Sequence, residues 1–431
     1  MTSLNPPSQQ KVTLHWPKNR ALPNRYSPQQ YERNMRHGDG NSMQIILKVT
    51  EVCNIACTYC YFFFGGDTSY EDNPAHISFE TMDALARFLE NGVREYGIKR
   101  ITLILHGGEP LMLKHDPMSR LLTAVRRATQ SAELYVTVQT NAMLIDDRWI
   151  DLFVEHDVYV GVSLDGPPEL NDVARLDKSG KGTYERTLRG VRKLFDAHAA
   201  GRLQAPGLLC VLSADFPADQ LYRHFVHELG FRNIDFLLPI QNHDTFDHSQ
   251  AGKLAVSMRL LFQLYRAETH AGINIRFFNK VLHALTMPPF FYSSMYRYSA
   301  QKDIVFVVSS SGEIGPDDNL RTSDPRLMSL GLNLADSELR DVVLDTQLAW
   351  LQDETFAIPT ACLPCEFAQT CRGGDLFTRY RGETGFDNPS IHCETYKAIY
   401  TDALEMLMAT GKDADLLAAR LQAGAAVDFG S

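Results

Sequence analysis

Apolar and polar positions along this chain follow two rhythms. Six short runs rich in aliphatic and β-branched residues read as strands: Met43–Val49, Arg100–Leu105, Glu133–Gln139, Tyr159–Leu164, Leu208–Leu212 and Asn233–Leu238. Between them apolar residues recur at three- and four-residue spacing, which predicts helices over Ser78–Glu95, Pro117–Gln130, Asp146–His156, Tyr184–Ala199 and Ala218–Leu229. In the first of these, Phe79, Met82, Leu85, Ala86 and Leu89 form the stripe, and Ser78 stands where an N-cap belongs. Repeated strand–helix alternation predicts a parallel sheet with right-handed crossovers. On its own it fits an open barrel, a closed barrel or a doubly wound sheet.

After about residue 240 the alternation weakens. Gln241–His248 is polar and reads as a loop over the mouth of the sheet, and Leu254–Thr269 as a long amphipathic helix. Pro288–Tyr298 is rich in aromatics and reads as core. Ile304–Val308 and Glu313–Pro316 read as a hairpin, and Thr395–Thr410 and Asp413–Ala423 as closing helices. The division expected is an extended, polar arm over 1–40, the strand–helix domain over 41–240, a helical connector over 241–300, and a cysteine-rich extension with closing helices over 301–431.

Composition narrows the function classes. With 44% hydrophobic and 22% charged residues, the chain is an ordinary soluble globular protein. No apolar run reaches the ~20 residues that span a bilayer, and the N-terminus lacks a signal pattern, so the expected location is cytoplasmic, with no membrane partner. A net charge of -10 counts against nucleic-acid binding. Eight cysteines in such a protein point to metal rather than disulfides. Cys210, alone in an apolar run, reads as a buried small hydrophobe.

Three cysteines lie just beyond the first strand: Cys53, Cys57 and Cys60, spaced C-x3-C-x2-C. Three thiolates are one short of a cubane iron–sulfur cluster and one short of a closed zinc site. After the second strand comes His106-Gly107-Gly108-Glu109-Pro110, where paired glycines allow close backbone approach and Glu109 can accept from an ammonium. The third strand ends at Gln139-Thr-Asn-Ala-Met143, which reads as a turn. The fourth ends at Gly161-Val-Ser163-Leu-Asp165-Gly-Pro167, with Arg175 further on.

The cysteine spacing, with Tyr59 just before the third cysteine, resembles the radical S-adenosylmethionine (SAM) superfamily, and Gly107-Gly108-Glu109 resembles its GGE motif. The resemblance implies a partial (β/α)6 barrel in the α/β class. It implies a [4Fe–4S] cluster on the three cysteines, with the open iron binding SAM, which is split into methionine and a 5′-deoxyadenosyl radical. It further implies Tyr59 against the adenine, Gly107, Gly108 and Glu109 at the amino group, Ser163 near the ribose and Arg175 on the carboxylate. A surface salt bridge is the plain alternative for Arg175. Related peptide-modifying enzymes often carry an N-terminal leader-binding domain, and the arm over 1–40 is too short and polar for a complete one.

Cys362, Cys365, Cys371 and Cys393 form a second group, C-x2-C-x5-C-x21-C. Four thiolates suit a tetrahedral zinc or a closed cubane. Downstream of a radical SAM core the spacing resembles the SPASM extension, implying one auxiliary [4Fe–4S] cluster. Asp317 and Asp375 stand where a second, inner cluster would have cysteines, so that cluster is expected to be absent. Asp318 matches an aspartate that serves related enzymes as a base, and repulsion from Asp317 is expected to raise one of the two pKa values; an exposed turn is the plain alternative. The stretch from Cys371-Arg-Gly-Gly to Gly385-Phe-Asp-Asn-Pro-Ser390 and Cys393 looks like the signature of maturases that build three-residue cyclophanes, of the XYE/FXS type. The implied function is an oxidative carbon–carbon crosslink, between an aromatic ring carbon and a β-carbon, in a ribosomally made precursor peptide, served by an electron donor such as flavodoxin or ferredoxin. The alternatives are a sulfatase-maturing dehydrogenase that forms formylglycine, a thioether-forming maturase, and a non-enzymatic metal-cluster binding module.

Overall fold

The computed structural model describes residues 28–37, 41–268, 272–286 and 303–423. Six parallel strands lie side by side in chain order: β1 (Ser42–Thr50), β2 (Arg100–Gly107), β3 (Glu133–Thr140), β4 (Val158–Ser163), β5 (Gly207–Val211) and β6 (Asn233–Leu237). A doubly wound sheet reverses its strand order at a switch point; this one does not. Helix α1 (Pro28–His37) precedes the sheet. The crossovers carry α2 (Tyr61–Phe64) and α3 (Phe79–Tyr96), α4 (His115–Ala128), α5 (Asp147–Glu155), α6 (Pro168–Ala174) and α7 (Tyr184–Ala199), then α8 (Ala218–Tyr222). Local chemistry sets their ends: the Ser78 hydroxyl accepts from Thr81 N, and Gly97 closes α3 in the left-handed conformation.

Four further strands extend the sheet. β7 (Asn274–Ile275) adds to β6, and β8 (Asp303–Val308) runs parallel to β1 on its other side. The short β9 (Glu313–Gly315) and β10 (Leu332–Asn333) follow antiparallel. The expected hairpin is present, and its first strand is also built into the barrel sheet. The outer strands β7 and β10 do not pair with each other. The architecture is therefore a partial α/β barrel, open at one side, with a C-terminal extension.

Strand alternation sorts side chains between two environments. Ile101, Leu103 and Leu105 of β2 are buried beneath the helices, and Thr102, Ile104 and His106 are half-buried on the opposite face. The register aligns Gln44, Ile46 and Lys48 of β1 with those three, and Ile104 with Thr137 of β3. These inward positions line the lumen. A closed barrel packs its lumen solid; here half-buried Thr137, Gln139, Tyr159 and Ser163 leave room inside.

Two regions depart from expectation. The stretch read as an extended arm contains α1, whose Met35 is fully buried and whose Arg36 and Glu32 bond Glu95 and Arg340; residues 1–27 lie outside the described residues. The polar stretch after β6 clasps the C-terminal segment. His243 N donates to the Tyr380 carbonyl (3.0 Å), Gly382 N donates to Asp244 (2.8 Å), and the Asn242 amide donates to the Thr322 carbonyl. Its polarity reflects these backbone partners. The aromatic run 288–298 lies outside the described residues.

Arg379 anchors that segment. It is 1% exposed, and its guanidinium donates to the carbonyls of Phe386 (2.8 and 3.0 Å) and Glu354 (2.8 Å). Arg379→Met keeps the aliphatic stem but strips both carbonyls of their donor. It should cost about 3 kcal/mol, read as a lower urea midpoint of the full chain.

Candidate active site

The loop after β1 carries Cys53, Cys57 and Cys60, and the neighbouring crossovers hold it. Ala56 N donates to Leu176 O (2.7 Å) and Thr58 N to Ala174 O (3.0 Å), tying it to the C-terminal end of α6 and the residues just beyond. From the β2 side, Gly108 N donates to Thr50 O (3.0 Å) and Glu109 N to Val52 O (2.9 Å). A Cβ at Gly108 would lie 2.2 Å from the Val52 carbonyl oxygen, so only glycine permits this approach. Cys53 and Cys57 are buried and Cys60 is half-buried, and all three are free thiols. Burial pushes the Cys53 thiol up to about 12 and raises the Cys57 thiol, against which the Arg175 charge works. Among the described residues no three His, Cys, Asp or Glu side chains converge tightly enough for a single metal ion. Three neighbouring soft sulfurs are nevertheless the donor set that iron–sulfur clusters take.

The polar residues of the neighbouring rim gather around this loop. Arg175 is buried, donates to the Tyr59 hydroxyl (2.9 Å) and lies 3.8 Å from Asp165. The Tyr59 hydroxyl in turn donates to Asp165. Burial opposes the Arg175 charge, but Tyr59, Cys57 and Asp165 hold its pKa well above the ordinary value. Its Nε is buried and has no hydrogen-bond partner, so a donor in this pocket is left for an acidic group. Arg175 is thus no surface salt bridge. Ser163 accepts from Gln139 Nε2 (2.8 Å) at the end of β4.

Glu109 is buried, and its carboxylate accepts from Thr140 Oγ1 (2.6 Å), Asn141 N (2.8 Å) and Leu111 N (3.1 Å). Burial raises its pKa, and those hydrogen bonds work against the rise. Thr140 and Asn141, read from sequence as turn residues, therefore belong to the site's framework. Asn141 also donates to Asn54 Oδ1 (2.7 Å) inside the cysteine loop.

Asp318 sits in a short turn, 318–322, that follows β9. It is 3% exposed, so it is not an exposed turn residue. Its Oδ2 accepts from Lys48 and the Tyr61 hydroxyl, and its Oδ1 from Arg321 Nε (3.0 Å). Arg321 also bonds buried Asp67. Burial alone would raise the Asp318 pKa, but Lys48 and Arg321 hold it well below the usual carboxylate range. The direction is opposite to the rise that repulsion from Asp317 would give, because the neighbouring cations outweigh it; Asp317 itself caps the turn through Asn319 N (2.9 Å). Lys48, His106, Tyr61 and Arg321 were missed from sequence. A lysine in the largely apolar run Met43–Val49 is the one signal available.

The second cysteine group lies apart, on the C-terminal segment. Cys362, Cys365, Cys371 and Cys393 are free; burial raises the Cys362 thiol, and the neighbouring Cys393 and Cys365 add to the rise. Burial pushes the Cys371 thiol up to about 12. The chain turns back after Cys371 through Gly373 and Gly374, both left-handed (φ 82° and 84°), where a Cβ would strike Pro359 and Ser390. Ser390 N then donates to Gly373 O (2.8 Å), which brings Cys393 alongside. Asp375 bonds Lys280 (2.8 Å) and the Tyr396 hydroxyl (2.8 Å).

Residues 47–201 match the model of the Radical SAM superfamily. The chain is 23% identical over 380 residues to a cysteine-type anaerobic sulfatase-maturating enzyme of Clostridium perfringens, covering 84% of this chain and 96% of that protein. It is 34% identical over 155 residues to a serine-type anaerobic sulfatase-maturating enzyme of Klebsiella aerogenes, covering 34% of this chain and 35% of that one. A solved structure of native anSMEcpe with bound AdoMet and Cp18Cys peptide superposes with a TM-score of 0.70 at 19% identity, covering 86% of this chain and 98% of that one. The likeness to that structure is one of fold.

The Gly108 contact makes the cysteine loop depend on one missing Cβ. Gly108→Ala should lift the loop, and the thiols of the metal-free protein should react with a disulfide reagent about tenfold faster or more. Unchanged reactivity would mean that this contact does not hold the loop.

Proposed function

We propose, starting from the radical SAM domain over residues 47–201, that this protein is a SAM-dependent enzyme that oxidises a side chain of a peptide. The observation that carries the reading is the joint placement, at one rim, of a three-thiol loop, an acceptor carboxylate (Glu109), a buried arginine with an unsatisfied Nε, and a buried carboxylate paired with cations (Asp318) on the lumen side. Cys53, Cys57 and Cys60 would hold a [4Fe–4S] cluster. Glu109 and the Gly107-Gly108 backbone would receive the amino group of SAM, Arg175 its carboxylate, Ser163 its ribose and Tyr59 its adenine. When bound, the cluster and SAM supply a hydrogen-abstracting carbon radical.

The chain's own residues do the rest. The half-buried lumen admits a peptide side chain and holds it near the rim, where proximity lowers the barrier. Loss of a β-hydrogen and then of an electron leaves a proton, and Asp318 is the candidate acceptor. Cys362, Cys365, Cys371 and Cys393 would hold an auxiliary cluster able to take the electron, and a flavodoxin- or ferredoxin-like protein would supply the first reducing equivalent.

Two products fit this scheme. The sulfatase-maturating relatives favour oxidation of a Cys or Ser to an aldehyde. The second reading, a carbon–carbon crosslink of the cyclophane kind, is favoured by the Gly385-Phe-Asp-Asn-Pro-Ser390 segment before Cys393 and by the aspartates at 317 and 375, which keep protein partners of their own. Anaerobic co-expression with candidate peptides, followed by mass spectrometry, tests both. An aldehyde is trapped by a hydrazide. A crosslink loses two hydrogens, resists hydrazide and suppresses fragmentation between an aromatic residue and the residue two positions on. No peptide of either kind altered would contradict the proposal. Cys362→Ala should lower the iron bound from about eight to about four per chain; an unchanged iron count would remove the auxiliary cluster.

A further inference from the structure

Beneath the rim lies a cluster of buried charge whose lysine has no role in the chemistry above. Lys48 is fully buried on β1 and points into the lumen. Its ammonium bonds Asp318 Oδ2 and lies 2.9 Å from His106 Nδ1 on β2. It also sits 4.8 Å from the centre of the Phe62 ring, which Arg321 approaches to 4.5 Å. Burying an ion pair seldom adds stability over a well-packed apolar residue, and Ile46 shows that this lumen accepts one. A lysine here therefore points to the site rather than to folding.

The two oxygens of Asp318 are held from different parts of the molecule. Oδ1 is bonded by Arg321, which belongs to the same turn and moves with it. Oδ2 is bonded by Lys48, from a central strand, and by Tyr61, from the helix after the cysteine loop. Of the roughly four acceptor positions of a carboxylate, these donors take three, and the fourth, on Oδ1, is the one a substrate proton would take.

We propose that Lys48 is a positioning residue: its ammonium fixes Asp318 to the barrel wall and keeps the carboxylate aimed at the lumen. The inference rests on the reading of the chain as a peptide-oxidising enzyme. Around Asp318 the other charged or titratable groups are Glu51 beyond β1, His106 on β2, Tyr61 on α2 and Arg321 on its own turn, with Asp67 behind Arg321. Arg321 moves with the turn, whereas Lys48, with His106 beside it, belongs to the barrel wall.

Two measurements on the full-length, cluster-loaded protein test this. The first is oxidised peptide formed per 5′-deoxyadenosine released. Lys48→Met should lower that ratio about a hundredfold, the scale of a misplaced catalytic group, and Lys48→Arg should recover most of it. The second needs no peptide: infrared difference spectra against Asp318→Asn follow the Asp318 carboxyl through a pH titration. In the parent protein the band stays that of a carboxylate well below the ordinary aspartate value of about 3.9; in Lys48→Met the protonated band should appear at clearly higher pH. An unchanged ratio with an unchanged titration overturns the proposal. If the parent oxidises no peptide, the functional reading fails while the infrared arm still decides what Lys48 does. Should Lys48→Met not fold, Lys48→Gln removes the charge while keeping a donor, and the same two results apply.

Discussion

A loop of three thiols cannot hold itself open. Its sulfurs must face one another for a cluster, so its backbone donors need partners elsewhere. Here the neighbouring crossovers supply them: Leu176 and Ala174 accept from the loop, and Gly108 and Glu109 donate to its base. Those same segments carry Arg175 and the Glu109 carboxylate, so the bonds that fix the loop also aim the side chains around it. The open barrel makes this possible, since it brings the ends of β1, β2 and β4 to one rim.

The C-terminal extension belongs to the same constraint. β8 pairs along β1, and the chain then turns through β9 to deliver Asp318 against Lys48. The result is a buried ionic seam between the barrel wall and the extension, with Arg321, Asp67 and Tyr61 completing its hydrogen bonds. Charges so placed are costly unless each is matched. The matching explains why Asp318 stays ionised although burial opposes it. A second clasp, from Asn242, His243 and Asp244, holds the extension from the far side of the sheet.

Much of this was legible in the sequence, and the misses have physical reasons. Strand positions follow from short aliphatic and β-branched runs, and Ser78 reads as a cap because capping uses a partner three residues away, here Thr81 N. The pairing of β8 with β1 was not readable, because it joins residues about 260 apart through hydrogen bonds that leave no mark on either strand's pattern. Thr140 and Asn141 looked like a turn because their partner, Glu109, comes from another crossover. The Asp317–Asp318 pair suggested repulsion because neighbours in sequence were weighed and the cations were not: Lys48 lies 270 positions away. Electrostatics at a site depends on what the fold brings near.

The central claim is that the loop of Cys53, Cys57 and Cys60 carries one-electron chemistry on SAM. The most direct test is 5′-deoxyadenosine production by the anaerobically reconstituted, reduced protein and by its Cys57→Ala variant. The first should yield 5′-deoxyadenosine and the second none above background. Equal production by both, or none by the reduced parent protein with its iron in place, would contradict that claim.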